Sequence, residues 1–566
     1  MVVILALDIL QHKRGRKAGS RMPNTEALAL LRPTPQQVAA GNLSRGVQLQ
    51  QTHAPRHTLS LSHTPRQEWQ EASFGPNAGD SLRISSTLPC SENDKFHTWL
   101  QDLANDLTAA NVVTESVISY ITTCMELFSD NLYPIYPVIY KPNISPALTL
   151  IKLQDPEEAW DTKSFVHLTS ICAYTLAVLP ASISGASWSG AQVFYRVFKK
   201  AQNSYALRDI ECPSSSSVVI HLMHAGWHHA SGNPSASWYV LGEAMRTALL
   251  MRLHDEKTYE SMSCIEGQLC RRAFWALYTG DQASCLLGGH PSIFNKSLFW
   301  GVTIPRYPEE FGPEDQATVT QHNGREHSIS ILTGFNANQD LWLAADDLLQ
   351  AERDDGTATS NSRPRCLAAY LRFCTVLDDL PTVLRFHNSV DATLEGFFFA
   401  DEENRRLPVP QALATQRANL HISYQYLKLF FLRKYPFLCL NDPLGPTSVL
   451  PSHGYEQGHQ LSSLWTGLVR QTMQVAEDML YVIHTSGVDN LRFNGEPCTE
   501  KIRRVAASVL EVLAQDIVDA GLLERAVKLR DLYPHILARL ESKASDEPSI
   551  AAARSYGAEP YPSVRT

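Results

Sequence analysis

The sequence predicts an all-α protein: a large bundle of packed helices preceded by a disordered basic arm and linker. Three observations carry that prediction. Apolar residues recur at helical spacing from about residue 96 to residue 540. Alternating apolar and polar runs joined by Asn-Gly or Asp-Gly turns, which mark hairpins, are scarce. A chain of 566 residues, 44% hydrophobic and 19% charged, also has ample material for a large core.

The chain opens on MVVILALDIL, an apolar run too short to span a bilayer and with its positive charges after it rather than before it, unlike a secretory signal. QHKRGRKAGSRM follows, carrying Lys13, Arg14, Arg16, Lys17 and Arg21, with Gly15 and Gly19 keeping the backbone extended or flexible. Residues 1–22 thus form an apolar start and a basic arm. Against 49 Lys and Arg stand 58 Asp and Glu, a formal net charge of -9, so any contact with nucleic acid must be local. The arm reads either as a phosphate-contacting or nuclear-import segment or as a plain solvated terminus. Residues 23–95, with stretches such as SHTPRQEWQEASFGPNAGD, hold no helical or strand period and are predicted to be a disordered linker.

Order is predicted over 96–540. In VVTESVISYITTCMELF, Val113, Val117, Ile121, Met125 and Phe128 fall along one side of a helix. In SWYVLGEAMRTALLMRL, Leu241, Ala244, Met245, Ala248 and Leu249 share a face, and ANLHISYQYLKLFFLRKYPFL is a long aromatic-rich helix that ends where Pro436 removes a backbone donor. Breaks are expected at PSSSS (213–217), at the SISG loop before residue 186 and at DDGTATSNSRP (354–364). Residues 541–566 are predicted to be a flexible tail. The eleven cysteines lack any C-x-x-C pair and are read as reduced thiols, most of them small buried groups. No segment reaches the roughly 18 uninterrupted apolar residues of a membrane helix, so no membrane partner is predicted.

Motifs of enzyme chemistry are missing from the sequence: no G-x-S-x-G, no H-E-x-x-H, no phosphate loop and no G-x-G-x-x-G. ASWSG at 186–190 misses the nucleophile elbow by one position. In HLMHAGWHH, His221, His224 and His228 lie at i, i+3 and i+7 on one helical face, where three imidazoles could in principle bind a transition metal. Leu222, Met223 and Trp227 argue instead for a buried helix with structural histidines, so no metal is assigned. Asp281, seven residues after Phe274 and three after Tyr278, projects from an otherwise apolar face. A carboxylate there needs a partner, with Arg246, Arg271 or Arg272 as candidates, and a structural ion pair is favoured over a catalytic acid. No catalytic residue and no cofactor are predicted.

Four ordered blocks spanning some 320 residues resemble the fungal-specific transcription factor domain, the middle homology region. LFSDNLYPIYPVIYKPNI (127–144) is similar to its opening signature, with Tyr136 and Pro137 and then Tyr140 to Pro142 at the two marked places. SSVVIHLMHAGWHHASGNPSASWYVLGEAMRTALLMRLHDE matches its best-known block at Gly232, Asn233, Trp238, Gly242, Ala244, Arg246, Leu253 and His254. CRRAFWALYTGDQASCLLGGHPSIF matches at Arg271, Arg272, Trp275, Asp281, Gly289 and Pro291, while His290 and Gln282 stand where the family carries arginine. LHISYQYLKLFFLRKYPFL (420–438) resembles a later helix of the same domain.

The resemblance implies a nuclear transcriptional regulator with DNA and the transcription machinery as partners, controlling metabolic or secondary-metabolite genes. In that family a six-cysteine zinc cluster precedes a linker of the type K-R-G-R-K-x-G-S-R, which residues 13–21 resemble. The first cysteine here is Cys90, so zinc is expected only if such a cluster lies upstream. The chain as written is therefore expected either to be an incomplete or mis-spliced version or to reach DNA through a partner. A homodimer is implied by the family, although no heptad run of apolar a and d residues follows the basic arm. The alternative from another class is a small-molecule-binding protein or an enzyme on a helical scaffold.

Overall fold

Caps and breakers in the sequence set where the helices start and stop in the computed structural model, which describes residues 92–112, 116–144, 162–185, 188–294, 305–320, 324–353, 362–386, 409–440, 455–514 and 519–540. The basic arm, nearly all of the linker and the tail from 541 lie outside these residues. The first helix, α1, spans Glu92–Ala109. Ser116 then accepts the Ser119 amide and opens α2 (Val117–Leu127), on which Ile121 and Met125 are buried as the spacing predicts; Phe128 is also buried, at the start of a π-helical turn, Phe128–Leu132, and Val113 lies outside the described residues.

The helices α3 (Thr162–Val178), α4 (Ala181–Ser184) and α5 (Trp188–Glu211) follow. The predicted SISG loop is in fact the single turn of α4, closed by Gly185 in the left-handed region. Ser214 and Ser217 form a reciprocal cap that opens α6 (Ser215–Ala230). Gly232, at φ 75°, turns the chain, and Pro234 begins α7 (Pro234–Leu250) with its preset φ. Next comes α8 (Cys264–Gly288), ended by Gly289 at φ 68°.

After α8 the structure contains a feature the sequence reading missed, an antiparallel hairpin of β1 (Gln316–Thr320) and β2 (Glu326–Ser330) with Ala317 opposite Ile329. The signal was present, because Asn323-Gly324 lies between ATVT and HSIS and Gly324 adopts φ 72°. The remaining helices are α9 (Ile331–Arg353), α10 (Ser362–Thr375), α11 (Gln411–Lys434), α12 (Tyr455–Ser486), α13 (Val488–Arg492), α14 (Gly495–Leu513) and α15 (Ala520–Arg539). As predicted, α11 stops just before Pro436.

Two helices organise the bundle because they are buried on nearly every side. α3 packs against α2, α5 and α6, while α11 packs against α9, α12 and α14. Contacts of α8 with α6, α7 and α9, and of α14 with α6, join these groups into one apolar cluster running from Trp99 to Leu540. Gly226 on α6 makes the α3 contact close, since a Cβ there would lie 2.4 Å from a Tyr174 ring atom. Among the described residues no helix is long and apolar enough to cross a membrane, and the cysteines are free thiols. Cys124, Cys172, Cys270, Cys366 and Cys498 are buried as expected, whereas Cys212 and Cys264 are exposed.

Candidate functional site

The Tyr-Pro segment after α2 and Arg272, the second arginine of the Arg-Arg pair on α8, meet in a buried polar hub. The π-helical turn carries Tyr133 into the interior, and Gln416 on α11 fixes the segment by donating to the Pro134 carbonyl at 2.7 Å. Arg272 and Asp315 are both fully buried and pair through Nη2 and Oδ2 at 2.6 Å. Arg272 also donates to the Tyr133 hydroxyl, to the Pro137 carbonyl (both 3.1 Å), to the second Asp315 oxygen at 3.3 Å and to the Glu309 carbonyl at 2.8 Å. The Tyr133 hydroxyl and the Phe311 amide each donate to Asp315, at 2.8 and 2.7 Å. The guanidinium lies over the Phe311 ring, 3.8 Å from its centroid.

Burial pushes the Asp315 carboxyl upward, but the Arg272 hydrogen bonds and charge more than reverse this and hold it below the usual carboxylate range. Segments near residues 133, 272 and 315 are thereby fixed to one another. Sequence reasoning singled out Arg272 but missed Tyr133 and Asp315.

Asp281 requires a correction. It is fully buried, but none of Arg246, Arg271 and Arg272 is its partner. Its oxygens accept from the Ser292 hydroxyl at 2.8 Å and from the Ile293 and Phe294 amides at 2.9 and 2.8 Å, so the carboxylate clamps the loop that follows Gly289. Burial raises its pKa, and those amide donors oppose the rise. Arg271 instead makes two 2.5 Å bonds to Glu256 and lies over Tyr259, while Arg246 is exposed.

The two departures from the family pattern serve the same loop. Gln282 donates to Ser292 at 3.2 Å and to the Phe294 carbonyl at 3.4 Å, and His290 stacks flat on Trp238 with centroids 4.3 Å apart. Of the other signature positions, Gly242 is buried within α7, His254 is half-buried after it, and Pro291 is exposed.

The histidine face of α6 divides. His224 and His228 turn toward Tyr195 on α5, with Tyr195 Oη 3.2 Å from His224 Nε2 and 3.3 Å from His228 Nε2, and the two Nε2 atoms 3.1 Å apart. Trp227 lies flat on Tyr195, with ring centroids 3.6 Å apart. His221 does not join them, because its Nδ1 faces Glu243 at 3.7 Å. Among the described residues no trio of His, Cys, Asp or Glu is disposed to hold a metal, so the i, i+3, i+7 set does not assemble as one site. Burial, aided by the charge of Lys199, depresses the His224 pKa to about 2 and lowers that of His228.

Apart from Gln416, the residues of all three places fall within residues 125–338, which match the family model described as the fungal specific transcription factor domain. This region is thus similar to the fungal specific transcription factor domain. The fourth resembling block, at 420–438, lies beyond the matched residues. The chain is 26% identical over 172 residues to the maltose fermentation regulatory protein MAL33 of Saccharomyces cerevisiae, a match covering 30% of this chain and 35% of that protein. It is 19% identical over 230 residues to an ABC-transporter-regulating transcription factor of Aspergillus fumigatus, covering 40% of this chain and 25% of the relative. These matches thus span about a third and a quarter of the two relatives' lengths. Both the family and these relatives are regulators of transcription, not enzymes. No solved structure matches the chain.

Proposed function

We propose that the chain is a nuclear transcription regulator whose helical region, 96–540, serves as a scaffold for effector or partner contact. The observation that carries this reading is the saturation of two buried acids in the matched region. Asp281 is held by a hydroxyl and two amides, and Asp315 by Arg272, Tyr133 and an amide, so both are committed to holding loops in place. A reaction centre needs a poised group aimed at an open site, and neither carboxylate has that character.

On this reading DNA is reached through a zinc cluster or a DNA-bound partner, and zinc belongs only to such a cluster. Lys13, Arg14, Arg16, Lys17 and Arg21 contact the phosphate backbone or an import receptor, and residues 23–95 act as a linker. The regulated genes belong to a metabolic or a secondary-metabolite cluster, a reading supported by relatives named for maltose fermentation and for regulation of a transporter. The working unit includes a homodimer and the transcription machinery.

Deletion of the coding sequence followed by transcript profiling tests the proposal. A coordinated change across a group of metabolic genes is expected. Unchanged transcripts together with loss of a single metabolite conversion would overturn it in favour of an enzyme.

A further inference from the structure

We propose that Tyr195, His224 and His228 form a binding site for one divalent transition metal ion of the zinc type, with a water at the fourth position. The reasoning is geometric. A tetrahedral ion with ligand bonds of roughly 2.0–2.1 Å holds its donors about 3.3 Å apart. The three donor atoms here are separated by 3.1, 3.2 and 3.3 Å, so they form one nearly equilateral face of such a tetrahedron. His224 and His228 are spaced i, i+4 on α6, which places both rings on one side, and α5 delivers the hydroxyl across the helix pair.

Protons alone serve this triangle poorly. Two neutral imidazoles cannot both carry a proton on Nε2 at 3.1 Å, so the hydroxyl and one ring supply two protons for three close contacts. One ion satisfies all three once the Tyr195 phenol releases its proton to solvent on binding, a step that burial of the hydroxyl opposes. Both rings are neutral around pH 7, the form in which imidazole ligates. The charged side chain that bears on both rings is the Lys199 cation, and Glu243, which bears on Lys199 and His221, partly offsets it.

The ring orientations come from packing, with Phe198 edge-on to His224 and Trp227 edge-on to His228. Their Nδ1 atoms are buried without partners. Outer hydrogen bonds of that kind ordinarily strengthen a metal site about 10–100-fold. The expected dissociation constant is therefore on the order of micromolar, weaker than in structural zinc sites.

The full chain titrated with zinc chloride by calorimetry, and with cobalt(II) by visible absorption, tests the site. The expected result is one equivalent of zinc per chain, a cobalt spectrum of four-coordinate intensity, and quenching of tryptophan emission by cobalt through Trp227 on Tyr195. His228→Gln, at a half-buried position, and Tyr195→Phe, which keeps the stacked ring, should each weaken binding at least about tenfold. Absence of a saturable equivalent, or equal affinity in the parent and both variants, would overturn the proposal.

Discussion

Arg272→Met tests the buried hub most sharply. The substitution keeps the volume of the side chain roughly constant but removes five hydrogen bonds: two to Asp315 and one each to Tyr133 and the carbonyls of Pro137 and Glu309. It leaves the Asp315 carboxylate fully buried, with the Tyr133 hydroxyl and Phe311 amide as donors and only the more distant Lys141 cation in place of its ion-pair partner. Breaking a buried pair from one side costs about 3–5 kcal/mol, because the remaining charge is neither hydrated nor compensated. The double variant Arg272→Met with Asp315→Leu removes both charges and should cost less than the sum of the single changes by about 1–3 kcal/mol. Urea unfolding of the purified chain, read by circular dichroism, gives both values. A single-variant cost under about 1 kcal/mol, or strict additivity in the double variant, would refute the argument that the pair is buried and coupled.

Asp281→Ala should unpair the Ile293 and Phe294 amides and cost about 1–3 kcal/mol. Hydrogen exchange should speed up at those two amides first, and unchanged protection there would contradict the clamp. Gly226→Ala drives a methyl group into the Tyr174 ring, so the thermal midpoint should fall by an amount equivalent to about 1–3 kcal/mol, whereas Gly185→Ala, with nothing within 4 Å, should cost only its left-handed backbone strain. Burial depresses the pKa values of His224 to about 2 and of His167 and His421 to about 4. The free imidazole titrates near about 6.5, so the unfolded chain binds more protons below that pH. Stability should be complete above about pH 6.5 and fall toward pH 4, each histidine adding a slope of up to about 1.4 kcal/mol per pH unit. Asp315, also depressed, should extend the loss once pH drops through the carboxylate range. A thermal midpoint that stays flat from pH 7 to 5 would contradict this.

The helical fold was legible because its signals are local. Pro436 ends α11, Gly232 and Pro234 make the turn between α6 and α7, and the buried faces of α2 and α7 follow their spacing. The hairpin escaped because each strand is only five residues long, too short for alternation to stand out beside long helices. The site was harder to read because its partners are distant in sequence. Asp281 has arginines nine and ten residues before it, yet its donors come from a chain reversal after Gly289, which periodicity does not report. Asp315 lies 43 residues from Arg272 in a stretch containing other acids, and no spacing rule selects it from Glu309, Glu310 and Glu314. Tyr195 is one aromatic among many on α5, and only the packing of α5 near α6 gives its hydroxyl a role.

The central claim, that this chain acts on transcription, is tested most directly by tethering. The full chain is fused to a heterologous DNA-binding module and placed upstream of a reporter in a fungal cell. The account predicts reporter output that differs from that of the module alone, and the difference should shrink when Arg272→Met destabilises the hub. Output identical to the module alone, with the fusion folded and present in the nucleus, would contradict it.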